Sequence, residues 1–194
     1  MIVCDIETTG IYPSLNSIVS LGALDFNNPS EQIYLECRIW DGAKVENLAL
    51  MVNGYKEEEI RDFKKMREGE LVLKFFEWLK EREDQTIAAL HPVFDIGFIE
   101  AAALREGIKS IIGKRSIDLH SLIYMHMRQR GLPMLIKNNR SSIASDFIME
   151  YVGIPTEPKP HIAINGAIFE AEAISRLLFK KELLPEFKNH PVPW

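Results

Sequence analysis

The chain opens Met1-Ile2-Val3-Cys4-Asp5-Ile6-Glu7-Thr8-Thr9-Gly10. Met1–Cys4 is apolar and reads as a strand, and the polar corner Thr8-Thr9-Gly10, then Pro13 to Asn16, ends it. Asp5 and Glu7 stand two apart at the end of that strand. Side chains at i and i+2 share one face, with Cα atoms about 6.5 Å apart. Two carboxylates therefore project side by side while Ile6 points the other way. Carboxylates on a central strand are costly to bury without a partner. Oxygen ligands in that arrangement suit a hard divalent cation, Mg²⁺ or Mn²⁺. The alternative is a strand end in water whose two acids cap a turn.

Outward from this strand, Ser17–Phe26 reads as a second strand closing at Asn27-Asn28-Pro29-Ser30, and Gln32–Trp40 as a third. Short turns make the three an antiparallel meander. Leu71, Phe75, Trp78 and Leu79 form the apolar stripe of a charged helix. Thr86–Leu90 is a short strand, followed by a helix over Phe94–Arg105 that stops at Gly107. Ser116–Leu119 is a further strand, with a helix after it to Arg130. Ile143, Phe147, Ile148 and Tyr151 mark another helix, and the last runs from about Ala167 to Leu184. The pattern predicts an α/β fold whose mixed sheet is covered by helices on both faces. Residues 41–70 and 131–141 read as looser.

At 194 residues, 46% hydrophobic and 26% charged, the chain fits one soluble globular domain. No apolar run approaches the ~20 residues of a membrane span, and the N-terminus lacks a signal peptide's basic region. Cys4 and Cys37 have no metal-like spacing, so a reduced, cytoplasmic protein is expected. The net charge of -5 argues against a non-specific duplex binder. From Arg105 to Arg140, however, eight basic residues face only Glu106 and Asp118, a local +6. That stretch reads either as a solvated face or as a phosphate-tracking patch.

Two further sites carry chemistry. In His91-Pro92-Val93-Phe94-Asp95 a strand ends and Asp95 enters the first turn of a helix. An acid there also complements the helix dipole. In Pro158-Lys159-Pro160-His161 two prolines stiffen a loop that presents His161 just before the last helix, as a base or as a packed or capping residue. Asn165 would be a good N-cap.

Taken together and in order, Asp5-Ile6-Glu7-Thr8-Thr9-Gly10, His91 through Ile99, and His161-Ile162-Ala163 running into Ala167 resemble the DEDDh 3′–5′ exonucleases of the RNase H-like fold, the group of RNase T and the epsilon subunit of DNA polymerase III. The resemblance covers about residues 1–180. It implies a five-stranded sheet, three antiparallel strands then two parallel, in a single exonuclease domain over 1–184 with a tail at 185–194. It also implies two divalent ions, Mg²⁺ or Mn²⁺, about 3.5–4 Å apart across the scissile phosphate. Asp5 would bridge both ions, Glu7 would hold the ion carrying the attacking water, Asp95 would serve the second, and His161 would take the proton. Thr8 and Thr9 are expected against the substrate through their backbone or hydroxyls, and His91, where the pattern has asparagine, either touches substrate or packs, with part of 105–140 guiding a single strand of DNA or RNA towards its 3′ end. Assembly, including a homodimer, stays open. A second departure bears on the metal site: the pattern's last aspartate is Gly166 here. Glu170, one helical turn on, is expected to supply the carboxylate instead, while Glu172 points elsewhere. The alternative is a pseudo-exonuclease that binds nucleic acid or protein without cleaving.

Overall fold

The computed structural model describes residues 1–194. Strands β1 (Ile2–Thr8), β2 (Ile18–Asp25) and β3 (Asn28–Glu36) form an antiparallel meander. Strands β4 (Ile87–Ala89) and β5 (Ser116–Asp118) add in parallel to β1, giving the order β3-β2-β1-β4-β5. This is the mixed five-stranded sheet of the RNase H-like fold, with β1 at its centre.

Alternation along β1 builds two cores. Ile2, Cys4 and Ile6 pack with Leu71, Phe75 and Phe98 against helices α3 (Glu68–Lys80) and α4 (Pro92–Arg105). Val3 points the other way, into a second core with Ile123, Ile148 and Ile174 from α5 (Leu119–Gln129), α6 (Ser145–Val152) and α7 (Ala163–Phe179). Asp5 and Glu7 continue the Val3 face beyond the end of that core, towards the start of α7.

Three boundaries differ from expectation. The β2–β3 turn is Phe26-Asn27, so Asn28-Pro29-Ser30 lies inside β3 and the strand ends at Glu36. Pro29 is tolerated because β3 is an edge strand. Helix α7 begins earlier, at Ala163, and stops at Phe179, where Lys180 turns left-handed at φ 55°. The looser regions carry short helices α1 (Asn47–Asn53) and α2 (Glu57–Ile60), and a hairpin of β6 (Ile136–Lys137) and β7 (Arg140–Ser141). Asn138 and Asn139, both at positive φ, make the hairpin's two-residue turn.

Residues 185–194 dock on the body. Phe187 is buried, and the Trp194 ring lies 4.6 Å from His126 and 5.2 Å from Tyr151. Beneath them Arg176 and Glu172 form a fully buried ion pair at 2.6 Å. Glu172 also accepts from the Leu183 and Leu184 amides, and Arg176 donates to the Val152 and Phe187 carbonyls. No helix is long and apolar enough to cross a membrane.

Candidate active site

The C-terminal ends of β1 and β4 and the N-terminal end of α7 meet around one cavity of about 240 Å³. Asp5 and Glu7 enter it from β1, Gly166 and Glu170 from α7, and Glu157 and His161 from the loop before α7. Two glycines permit this close approach. A Cβ at Gly22 of β2 would collide with the Ile164 backbone at the start of α7, and a Cβ at Gly166 would collide with Asp5 Oδ2. The Asp5 carboxylate thus fills the space that any side chain at 166 needs. Glu170 reaches the cavity from one turn further on, its Oε2 accepting from the Leu90 amide at 2.9 Å. Glu172 faces away, in the buried pair with Arg176.

Asp95 lies buried in the first turn of α4, held by its own amide and that of Ile6. It does not line the cavity, but its charge reaches Asp5, Glu7 and Glu170. Burial raises all four carboxyls, and repulsion from neighbouring acids raises Asp5, Glu7 and Glu170 further. Glu7 moves from 4.5 to about 7 through burial, then Glu157 and Asp95, with the Asn53 amide pulling back. Asp95 rises to about 7 through burial, offset in part by the two backbone amides. Asp5 rises through burial and then Glu170, Asp95, Glu7 and Glu157. Glu170 rises through burial and then Asp95.

No lysine or arginine neutralises this group: the cavity's lining contains none. Four carboxylates, with Glu7, Asp95 and Glu170 buried and Asp5 partly so, and oxygen donors alone are the donor set of a hard divalent ion. Asp5, Glu7, Asp95 and Glu170 therefore fit such ions in chemistry. As the side chains stand, no three of the donors are gathered closely enough to enclose one.

His161 sits at the rim, 27% exposed, with its backbone amide bonded to the Val52 carbonyl at 3.1 Å. Its Nδ1 faces Glu157 Oε2 at 3.5 Å. Glu157 was not foreseen from sequence. It lies four residues back, but in a proline-rich loop without regular structure, where that spacing predicts nothing.

The expected substrate contacts divide. Thr8 Oγ1 donates to the Gly10 carbonyl at 2.7 Å, and Thr9 Oγ1 donates to the Lys44 carbonyl while accepting from the Ser17 amide. Both hydroxyls hold the corner together, and the backbone does the same: the Thr9 amide donates to the Ser17 carbonyl, the Thr8 carbonyl accepts from the Asn53 side chain and the Thr9 carbonyl from the Glu46 amide. His91 is exposed at the start of α4 and stacks on His120, centroids 5.9 Å apart. A second cleft of about 410 Å³ adjoins the cavity through Glu7, lined by Ile11, Leu48, Val52, Asn53 and Phe94 among others.

The basic stretch is not one stripe. Arg105 is bound to Glu68 at 2.7 Å and to the Pro13 carbonyl, over the Trp40 ring. Lys114 and Arg115 line an open cleft with Gln85 and Thr86, where β4 and β5 begin, at the opposite end of the sheet from Glu7. Arg130 stacks on Tyr151 and Trp194. Lys137 and Arg140 are exposed on the β6–β7 hairpin, and Ser141 Oγ lies 2.9 Å from Nε2 of His120, the ring that stacks on His91.

No protein-family model matches the chain. In sequence it is 28% identical over 110 residues to a DNA polymerase III PolC-type of Pediococcus pentosaceus, which covers 57% of this chain and 7% of that one. Solved structures are similar over nearly the whole chain. A zinc-bound E. coli ExoI–ssDNA complex aligns with TM-score 0.72 at 17% identity, covering 92% of this chain and 40% of that one. The nuclease domain of 3′hExo, a DEDDh family member bound to rAMP, gives 0.71 at 15% identity, with 94% of each chain covered. Cell-death related nuclease 4 gives 0.72 at 14% identity, with 100% and 71% covered. The chain thus spans only a small part of the polymerase and less than half of ExoI. With the sheet order, the α7 packing and these alignments in agreement, the protein has the fold of the DEDDh exonucleases.

Proposed function

We propose that the protein is a metal-dependent 3′–5′ exonuclease that removes nucleoside 5′-monophosphates from the 3′ ends of single-stranded nucleic acid. The observation that carries this reading is the convergence of Asp5, Glu7, Glu170 and His161 on one cavity, with Asp95 electrically coupled to it, on a fold that nucleases use. In this reading Asp5, Glu7, Asp95 and Glu170 hold divalent ions, Mg²⁺ or Mn²⁺. Bound there, such ions supply Lewis-acid polarisation of the phosphodiester and acidify water.

The chain's own groups do the rest. The Leu90 amide fixes Glu170, so the carboxylate that takes over from position 166 is held before substrate arrives. His161, open to solvent at the rim, accepts a proton from the attacking water as the new P–O bond forms. The bond from phosphorus to the preceding 3′ oxygen breaks, and that oxygen regains a proton from solvent. The products are a 5′-monophosphate and a chain one nucleotide shorter with a free 3′ hydroxyl. The apolar cleft beside Glu7 receives the terminal base, and its Ile11, Leu48 and Phe94 give stacking and burial without base readout.

A second reading, a non-cleaving binding module, draws on Gly166 and on the open spacing of the carboxylates. One assay separates the two. The chain is incubated with 5′-labelled DNA and RNA oligonucleotides and Mg²⁺ or Mn²⁺. Stepwise shortening from the 3′ end, abolished in Asp5→Ala, supports the nuclease; intact oligonucleotides with both metals and both sugars support the binding module.

A further inference from the structure

We propose that Glu157 is a positioning residue for His161, holding the imidazole with its proton on Nδ1 so that Nε2 is the free base at the cavity. The inference rests on the nuclease reading and adds a group to it.

Three observations bear on Glu157. It is buried although it sits in a loop, 8% exposed, and it lines the same cavity as Asp5, Glu7 and Glu170. Its Oε2 faces His161 Nδ1 at 3.5 Å, across one edge of the ring. Its Oε1 is buried with no hydrogen-bond partner. A buried acceptor without a donor is a cost that a fold rarely carries for packing alone. The imidazole stands at the carboxylate's other oxygen, Oε2, and a small rotation of the ring turns that 3.5 Å approach into a hydrogen bond. Catalytic hydrogen bonds are often long before substrate binds and tighten with it.

Burial raises the Glu157 carboxyl above its ordinary range, and the charge of Asp146 adds to this. The charge on His161 and the Ile162 amide at the N-cap of α7, where the helix dipole favours negative charge, pull the other way, towards the carboxylate. A developing imidazolium strengthens that pull. A carboxylate bound to one imidazole nitrogen selects the tautomer and orients the other nitrogen. With Nδ1 turned to Glu157, Nε2 on the far edge of the ring is free to take the proton of water.

The backbone of the loop serves the same end. The His161 amide is tied to the Val52 carbonyl in α1. Glu157 therefore has only the ring to set, and its replacement should alter the tautomer more than the loop's position.

The test reads the tautomer directly. Long-range ¹⁵N–¹H correlation spectra of the full chain, with and without Mg²⁺, assign His161 by comparison with His161→Ala. At a pH where the ring carries a single proton, the expected result is that proton on Nδ1 in the wild type, and loss of that preference in Glu157→Gln. In the cleavage assay Glu157→Gln should lower kcat by roughly 10- to 100-fold, within the range general base catalysis contributes, with KM changed less than about twofold. A wild-type His161 protonated on Nε2 overturns the inference without any variant. So does a Glu157→Gln protein with unchanged tautomer and unchanged kcat. A wild-type chain that cleaves nothing removes the nuclease reading instead, and the spectra still decide whether Glu157 sets the ring.

Discussion

Raising the pH of the metal-free protein from about 5 to about 8 should destabilise it, and Mg²⁺ should reverse the loss. Glu7 sets the scale. Its carboxyl ionises near 4.5 in the unfolded chain and at about 7 in the fold. Between those values the unfolded chain has released a proton that the folded chain still holds. Stability is therefore full below 4.5, falls as pH rises, and levels off above 7. At about 1.4 kcal/mol per unit of pKa, Glu7 alone costs about 3 kcal/mol. For a domain of this size that is a fall in Tm of about 6–12 °C. Asp95, Asp5 and Glu170 shift in the same direction. They repel one another, so their effects do not simply add. Asp84, held down to about 2 by Thr86 and the N-terminus, acts only below its unfolded value of 3.8, outside the window. Thermal unfolding followed by circular dichroism in EDTA across this range, then with Mg²⁺, measures the effect. Glu7→Gln should flatten part of the slope. A Tm that is level or rises with pH in EDTA refutes the reasoning, because the carboxyls would then not be crowded and buried as described.

Other consequences are sharp enough to check. Gly166→Asp, which supplies the last aspartate of the DEDDh pattern, should lower both Tm and cleavage, because its Cβ meets Asp5 Oδ2; activity raised above wild type would contradict the account of α7. Arg176→Met leaves Glu172 charged and buried without its partner. Loss of one member of such a pair costs about 3–5 kcal/mol, so Tm should drop by about 6–20 °C, readable by calorimetry. Lys137→Ala with Arg140→Ala should weaken binding of longer single strands more than of a dinucleotide. The slope of log affinity against log salt should shrink by about 1.4, at roughly 0.7 per phosphate contact, and fluorescence anisotropy across a salt series measures it.

The parts of this molecule that follow a local period were readable from its sequence. Alternation in Ile2–Thr8 put Asp5 and Glu7 on one face, and the structure places that face towards α7. Helical spacing linked Gly166 to Glu170, and Glu170 lines the cavity. Readings that depend on which distant segment arrives as a partner were harder. Arg105 looked like a surface cation, but it is engaged by Glu68 from α3, 37 residues away. Thr9 looked available to a ligand, but Lys44 and Ser17 occupy its hydroxyl. Asn28-Pro29-Ser30 has the composition of a turn, yet edge pairing with β2 makes it strand. Glu157 was invisible because loop closure, not periodicity, brings it beside His161.

The central claim is that crowded acids from β1, α4 and α7 are gathered to hold divalent cations, and Mn²⁺ binding followed by electron paramagnetic resonance tests it most directly. The account predicts two ions per chain, binding abolished in Asp5→Asn and weakened in Glu170→Gln while both variants stay folded. A wild-type protein that leaves Mn²⁺ free in solution, or variants that bind it as the wild type does, would contradict it.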